Sequence, residues 1–345
     1  MNPDKPTILI IYTGGTIGMI NDPANGSLKP FDLNKIMEHI PEIKSLGYRI
    51  ESHSFDSPID SSEIEPAIWT RIAEIIEENY QAFDGFVILH GTDTMAYSAS
   101  ALSFMLEDLA KPVIFTGSQL PIGALRTDGK ENLITSIVIA AAKEFDKPVV
   151  PEVCVYFESK LARGNRTTKV SAEQFNAFQS ANYPYLANAG VHIIYHREAI
   201  RYPGEPKELV VHKEFNNHIA ILKLFPGITS EYMDAVLGYQ ELKGLVLETY
   251  GAGNAPTESW FLERIKIAIE KGVVILDVTQ CIKGSVELGR YETSRHLLNA
   301  GVISGYDITT EAATTKMMIL LAQNLDDEEV KMLLNKSLKG EITLP

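Results

Sequence analysis

Two threonines flank a pair of glycines in the run TILIIYTGGTIG, residues 7–18. A hydroxyl carried on such a turn has three uses: nucleophile, phosphate ligand or turn cap. Thr13 and Thr16 are both placed for any of them. A second hydroxyl turn follows the apolar run GFVILH, residues 85–90, and there Asp93 stands beside Thr92 as a carboxylate that could hold a cation. Asp60, Ser61 and Ser62 come just before a helical pattern, and a helix amino terminus favours an anion such as a substrate carboxylate. Lys169 lies in LARGNRTTKVSAEQF, residues 161–175, a stretch dense in hydroxyls and cations. A threonine hydroxyl is a weak nucleophile until a base takes its proton. Two hydroxyls, an aspartate and a lysine make a set suited to acyl transfer, provided that the fold brings them together.

Competing chemistries lack their spacings. There is no GxxxxGK[ST] and no GxGxxG after a strand, and no lysine follows TGGTIG in the P-loop position. The eight histidines are scattered without an HExxH pair, so no metal centre is expected. GxSxG is absent, and Gly117-Ser118-Gln119 does not match it.

The elements that must position these residues follow from apolar runs and turn signals. Thr7 onward, Gly85–His90, Val113–Thr116 and Glu152–Phe157 read as buried strands. Ser62 and Glu65 have capping-box spacing before a helix that carries Ile68, Ile72, Ile75 and Ile76 on one face. Asp128–Ala142 reads as a second helix. Strands alternating with helices predict an α/β fold with a doubly wound, mostly parallel sheet. Ligands bind at the carboxyl ends of such strands, where both hydroxyl turns fall. The loop 21–30, NDPANGSLKP, follows the first turn directly and reads as a lid or an ordinary surface loop. The charged segment 195–217 reads as a linker between an amino-terminal catalytic domain, 1–194, and a smaller carboxy-terminal α/β domain, 218–345. In the latter, Ile219–Leu222, Gly244–Leu247 and Val273–Val278 are expected strands, and Glu258–Ile269 and Ala312–Leu321 expected helices.

The chain of 345 residues is 45% hydrophobic and 22% charged, as in a folded globular protein, and its net charge of −14 with no basic run argues against nucleic acid or an anionic membrane as partner. Two cysteines, Cys154 and Cys281, give no disulfide framework. Neither a signal peptide nor a membrane-spanning run is visible, so a cytoplasmic location is expected.

TGGTIG at 13–18, HGTDTM at 90–95 and RGNRTTK at 163–169 together resemble the bacterial L-asparaginases of the cytoplasmic, type I class. The likeness extends through residues 90–119, YGAGNAP at 250–256 and Thr279-Gln280-Cys281. It implies hydrolysis of L-asparagine to L-aspartate and ammonia without a cofactor, through a β-aspartyl acyl-enzyme. It implies Thr16 as nucleophile; Thr92, Asp93 and Lys169 as a second catalytic triad; and Asp60, Ser61 and Ser62 with Thr92 and Asp93 as the substrate-holding set. It also implies two α/β domains per chain and a homodimer or homotetramer with sites near a subunit interface. Two departures stand out. The family's loop tyrosine after the nucleophile is missing, because the corresponding place reads Gly26-Ser27 and no tyrosine occurs between Thr13 and Pro30. Some relatives bind asparagine at an allosteric site through an arginine; the matching position here is Glu248, although Thr168 and Cys281 agree. Weak or absent cooperativity is therefore expected. The other readings are an amidase subunit supplying ammonia to a tRNA-dependent amidotransferase, and a non-catalytic amide sensor.

Overall fold

The computed structural model describes residues 5–21, 28–30, 40–205 and 207–344, and it divides into two compact units, Met1–Lys213 and Glu214–Pro345. The loop singled out in the sequence falls at 22–27 outside the described residues; its flanks, Met19–Asn21 and Leu28–Pro30, pair antiparallel.

The first unit is built on an 8-stranded sheet. Its strands are β1 (Thr7–Gly14), β2 (Arg49–Ile59), β3 (Gly85–Leu89), β4 (Val113–Thr116), β5 (Val153–Phe157), β6 (Lys160–Arg163), β7 (Ala187–Ala189) and β8 (Ile193–Tyr195), in spatial order β8-β7-β6-β5-β4-β3-β1-β2. The five strands from β5 to β2 are parallel, and β6, β7 and β8 extend the sheet antiparallel. Strands β3, β4 and β5 are buried at every position, as expected where helices cover both faces of a parallel sheet. On one face Ile8, Ile10 and Tyr12 share a core with Leu133 and Ile137 of α3 (Gly129–Ala141). The edge strand β2 has no counterpart among the expected strands: its polar sequence RIESHSFDSPI is mostly solvent-facing.

Helix α1 (Pro66–Asn79) buries Trp69, Ile72, Ala73, Ile75 and Ile76, a single stripe at helical spacing. It corrects one expectation. Ser62 and Glu65 form no capping box; the helix opens at Pro66, whose missing N–H suits the first turn, and Asp60 instead caps a separate short turn, Ser61–Glu63. Helix α2 (Met95–Met105) is buried at nearly every position.

Within the segment 195–217, Val210–Val211 pairs antiparallel with Leu106–Glu107, at the end of α2. The second unit holds four parallel strands, β9 (Ile219–Lys223), β10 (Gly244–Thr249), β11 (Val274–Thr279) and β12 (Ile303–Ser304), in that spatial order. Helices α4 (Ser230–Leu237), α5 (Ser259–Glu270), α6 (Glu292–Ala300), α7 (Thr310–Leu320) and α8 (Asp327–Leu334) accompany it. Among the described residues no helix is long and apolar enough to cross a membrane.

Candidate active site

The parallel register sets the site. Tyr12 pairs with Leu89 and Leu89 with Thr116, so β1, β3 and β4 end side by side and release their three turns at one edge. On the other flank of β1 a register shift pairs Gly14 with Ile59, which brings the end of β2, and Asp60 after it, to the same edge. The turns are packed backbone to backbone. A Cβ on Gly14 would lie 2.1 Å from the Ile59 carbonyl oxygen, and one on Gly15, at φ +89°, only 2.5 Å from the Gly91 nitrogen. A Cβ on Gly91 would meet Ser61 Oγ at 2.5 Å, and one on Gly117 the His90 carbonyl at 2.4 Å. Only glycine permits these approaches. Thus the turns that carry Thr16, Thr92 and Ser61 are brought together although they are far apart in sequence.

The two threonines of TGGTIG separate into different roles. Thr13 is 1% exposed and its hydroxyl donates to the Leu89 carbonyl at 3.0 Å, tying β1 to β3. Thr16 opens the short turn Thr16–Gly18, is half-buried, and its hydroxyl meets no partner among the described residues. Tyr12 supports that turn from beneath: its hydroxyl donates to the Gly18 carbonyl at 3.2 Å, and burial pushes it up to about 12.

Thr92, Asp93 and Lys169 are in direct contact. Lys169 Nζ lies 2.9 Å from Thr92 Oγ1 and 2.6 Å from Asp93 Oδ1, within hydrogen-bond reach of both. Its side chain is 16% exposed and that of Asp93 64%, so the pair has one screened and one solvent-facing member. Lys169 arrives on the short strand Thr168–Lys169, paired with Phe178–Gln179. The turn before it is fixed from below: Gly164 packs against the backbone of Ala99 in α2, and Thr167 donates to the Arg163 carbonyl at 2.8 Å. Arg163 is itself held in a buried ion pair with Glu152 at 2.6 Å.

Ser61 joins the second turn to the Asp60 turn. Its hydroxyl accepts from the Asp93 N–H at 3.3 Å and its carbonyl from Thr94 Oγ1 at 2.7 Å. Asp60 Oδ1 accepts from the Ser62 N–H and hydroxyl at 2.9 and 2.8 Å. The Ser62 backbone and side-chain hydrogen bonds hold the Asp60 carboxyl below its ordinary range. Asp60 and Ser62 are exposed and Ser61 is buried.

Several supporting residues are not singled out by the sequence motifs. His90 is fully buried and pushed down to about 4 by desolvation, so its ring is neutral. It bonds Gly91 and Ser98, and Ser98 accepts from the Trp69 indole. Asp128 accepts from the Gln119 and Leu120 N–H groups, fixing the third turn, while the Gln119 side chain lies 3.5 Å from Thr92 Oγ1. The available signal is position: His90 immediately precedes the GTDT turn. Among the described residues no cluster of three or more His, Cys, Asp or Glu could hold a metal ion.

The residues matched to an allosteric site lie in different units. Thr168 pairs with Gln179 in the first. In the second, Glu248 Oε1 accepts from Thr310 Oγ1 at 2.7 Å while Oε2 lies 3.6 Å from Lys223 Nζ. Thr279 donates to the Gly251 carbonyl, Gln280 to the carbonyls of Leu224 and Glu248, and Cys281 is exposed.

Comparison with known proteins gives the family of the chain. Residues 7–201 match the model of the asparaginase N-terminal family, and 218–334 that of the glutaminase/asparaginase C-terminal domain. The chain is 43% identical to L-asparaginase 1 of Escherichia coli K12, covering 98% of each. It superposes on the crystal structure of L-asparaginase I from Vibrio cholerae with a TM-score of 0.90 at 42% identity, covering 99% of this chain and 100% of that one. It is also 36% identical to the L-asparaginase of Thermococcus kodakarensis, covering 97% of this chain and 99% of that protein.

Proposed function

The chain belongs to the asparaginase family, and from that premise we propose that it hydrolyses L-asparagine to L-aspartate and ammonia with Thr16 as nucleophile. The observation that carries the reading is the contact set of Lys169, Thr92 and Asp93, held on a turn that touches the turn of Thr16. Thr16 Oγ1 attacks the side-chain amide carbon of asparagine. Backbone N–H groups at the adjoining turns stabilise the oxyanion. The Thr16 hydroxyl proton is passed to the amide nitrogen, the C–N bond breaks with its electron pair on that nitrogen, ammonia leaves, and a β-aspartyl ester remains on Thr16. Lys169 then serves Thr92 as proton acceptor, Thr92 takes a proton from the attacking water, and a proton is passed back to the Thr16 oxygen as the ester breaks. Water cleaves the ester, releasing aspartate and restoring the Thr16 hydroxyl. Asp93 orients Lys169 and pairs with the substrate α-ammonium, while Ser61 and nearby backbone N–H groups take the α-carboxylate, within the substrate-holding segment Asp60, Ser61 and Ser62. Holding both α-groups positions the amide over the nucleophile.

The family likeness further supports a homodimer or homotetramer in the cytoplasm, with no cofactor. An ammonia-release assay on the purified protein alone tests the function. Turnover without a partner supports the asparaginase and removes the need for an amidotransferase assembly. Thr16→Ala is expected to remain folded and bind aspartate with turnover near background; a variant that keeps most of its turnover refutes Thr16 as nucleophile.

A further inference from the structure

His90 is the buried histidine among the described residues, and nothing in the chemistry above uses it. Its two ring nitrogens are both engaged: Nδ1 lies 2.7 Å from the Gly91 carbonyl and Nε2 lies 2.9 Å from Ser98 Oγ. The partners fix where the proton is. The Gly91 carbonyl can only accept, so Nδ1 carries the proton. In the neutral ring Nε2 is then the acceptor, so the Ser98 hydroxyl donates to it and takes the Trp69 indole N–H at 2.9 Å on a lone pair. The result is a one-directional chain from Trp69 in α1, through Ser98 in α2 and His90, to the Gly91 oxygen.

That oxygen belongs to the Gly91–Thr92 peptide. The peptide is planar and trans, so its carbonyl and the Thr92 N–H point in opposite directions. Fixing one fixes the other. No acceptor among the described residues meets the Thr92 N–H, and the hydroxyl of the same residue is held by Lys169.

We infer that His90 is a positioning residue for this site: through the Gly91 carbonyl it aims the Thr92 N–H at the reacting amide. The inference rests on the asparaginase reading. Its role is served by the Nδ1–H group alone, which gives a test that packing does not mimic. In His90→Asn the amide N–H takes the place of Nδ1–H. In His90→Gln the longer side chain reaches toward Ser98 and leaves the Gly91 carbonyl without its donor. His90→Leu removes both contacts.

The expected result is a fall in kcat of about 100-fold for His90→Leu and His90→Gln, the loss usual for a misaimed group, with KM for asparagine changed by less than about threefold. His90→Asn is expected to recover most of that loss. Equal kcat in His90→Leu and the wild type, or recovery by Gln equal to that by Asn, overturns the inference. Thr16→Ala is measured alongside. If it is inactive while the His90 series is flat, the positioning role alone fails; if it is active, the parent reading fails. Nitrogen-15 NMR of the wild-type imidazole at neutral pH covers the case in which the variants do not fold. A neutral ring protonated on Nδ1 supports the chain, and a ring protonated on Nε2, or on both nitrogens, refutes it.

Discussion

Replacing Asp277 by asparagine should stabilise the protein by an amount that grows as pH rises from about 4 to about 7. Asp277 sits in β11, paired on both sides in the sheet of the second unit, and is 0% exposed. Its Oδ1 accepts the Thr249 hydroxyl at 2.7 Å, whereas Oδ2 has no partner among the described residues. Gly253, at φ +103°, closes over Oδ2 so tightly that a Cβ there would stand 3.2 Å from it. Desolvation raises this carboxyl from an ordinary 3.8 to about 7, outweighing the Thr249 hydrogen bond. Between pH 4 and pH 7 the folded chain therefore keeps a proton that the unfolded chain has lost, and stability falls as pH rises. Over a gap of about three pH units, at 1.36 kcal/mol each, the loss reaches about 4 kcal/mol above pH 7. Asparagine reproduces the protonated form: it still accepts from Thr249 and carries no charge to desolvate. Urea unfolding of Asp277→Asn and wild type at pH 5, 6.5 and 8 measures the difference. The variant should gain about 2–4 kcal/mol at pH 8 and less than half of that gain at pH 5. A stability difference independent of pH, or a variant weakened at pH 8, refutes the reasoning.

Three further outcomes are expected. Lys169→Met should lower kcat by about 10³-fold, the range for losing a proton-transfer group, with ammonia release as the measure; near-normal turnover would remove Lys169 from the mechanism. Glu341 is fully buried against Lys316 at 2.6 Å and also accepts the Leu338 N–H, so Glu341→Ala should cost about 3–5 kcal/mol in unfolding by leaving Lys316 uncompensated, and a change below about 1 kcal/mol would contradict that. With Glu248 bound to Thr310 and beside Lys223, an acidic group stands at the position matched to an allosteric site and would repel an effector carboxylate, so the rate should rise hyperbolically with asparagine; a clearly sigmoidal curve would show that an effector carboxylate binds despite it.

The interior of the fold is legible in the sequence and its margins are obscure, for one physical reason. Strands β1, β3, β4 and β5 are buried on both faces, so their sequences are unbroken apolar runs. β2 lies at the sheet edge with most of its side chains in water, and RIESHSFDSPI carries no such signal. The antiparallel extension β6–β8 is built from short strands whose pairing depends on a hairpin through Glu158 and Ser159, both at positive φ without a glycine to announce it. The helix start at Asp60–Glu65 misleads because capping-box spacing is present while Pro66 sets the true first turn.

The site itself is legible as a set of residue types and illegible as a geometry. Each motif advertises hydroxyls in pairs, Thr13 with Thr16 and Thr92 with Thr94, and spacing gives no reason to prefer one of each. Contacts decide it. Thr13 follows Tyr12 along β1, and its hydroxyl is consumed by the Leu89 carbonyl of the neighbouring strand. Thr94 is consumed in the same way by the Ser61 carbonyl. The remaining two, Thr16 and Thr92, lie just past the strand ends on turns pressed together by Gly15 and Gly91. So Thr13 ties two neighbouring strands and Thr94 ties two turns, while Thr16 and Thr92 stand where those strands and turns meet. Because the bound threonines set how closely the turns approach, Thr13 and Thr94 shape the site as much as the residues that carry its proposed chemistry.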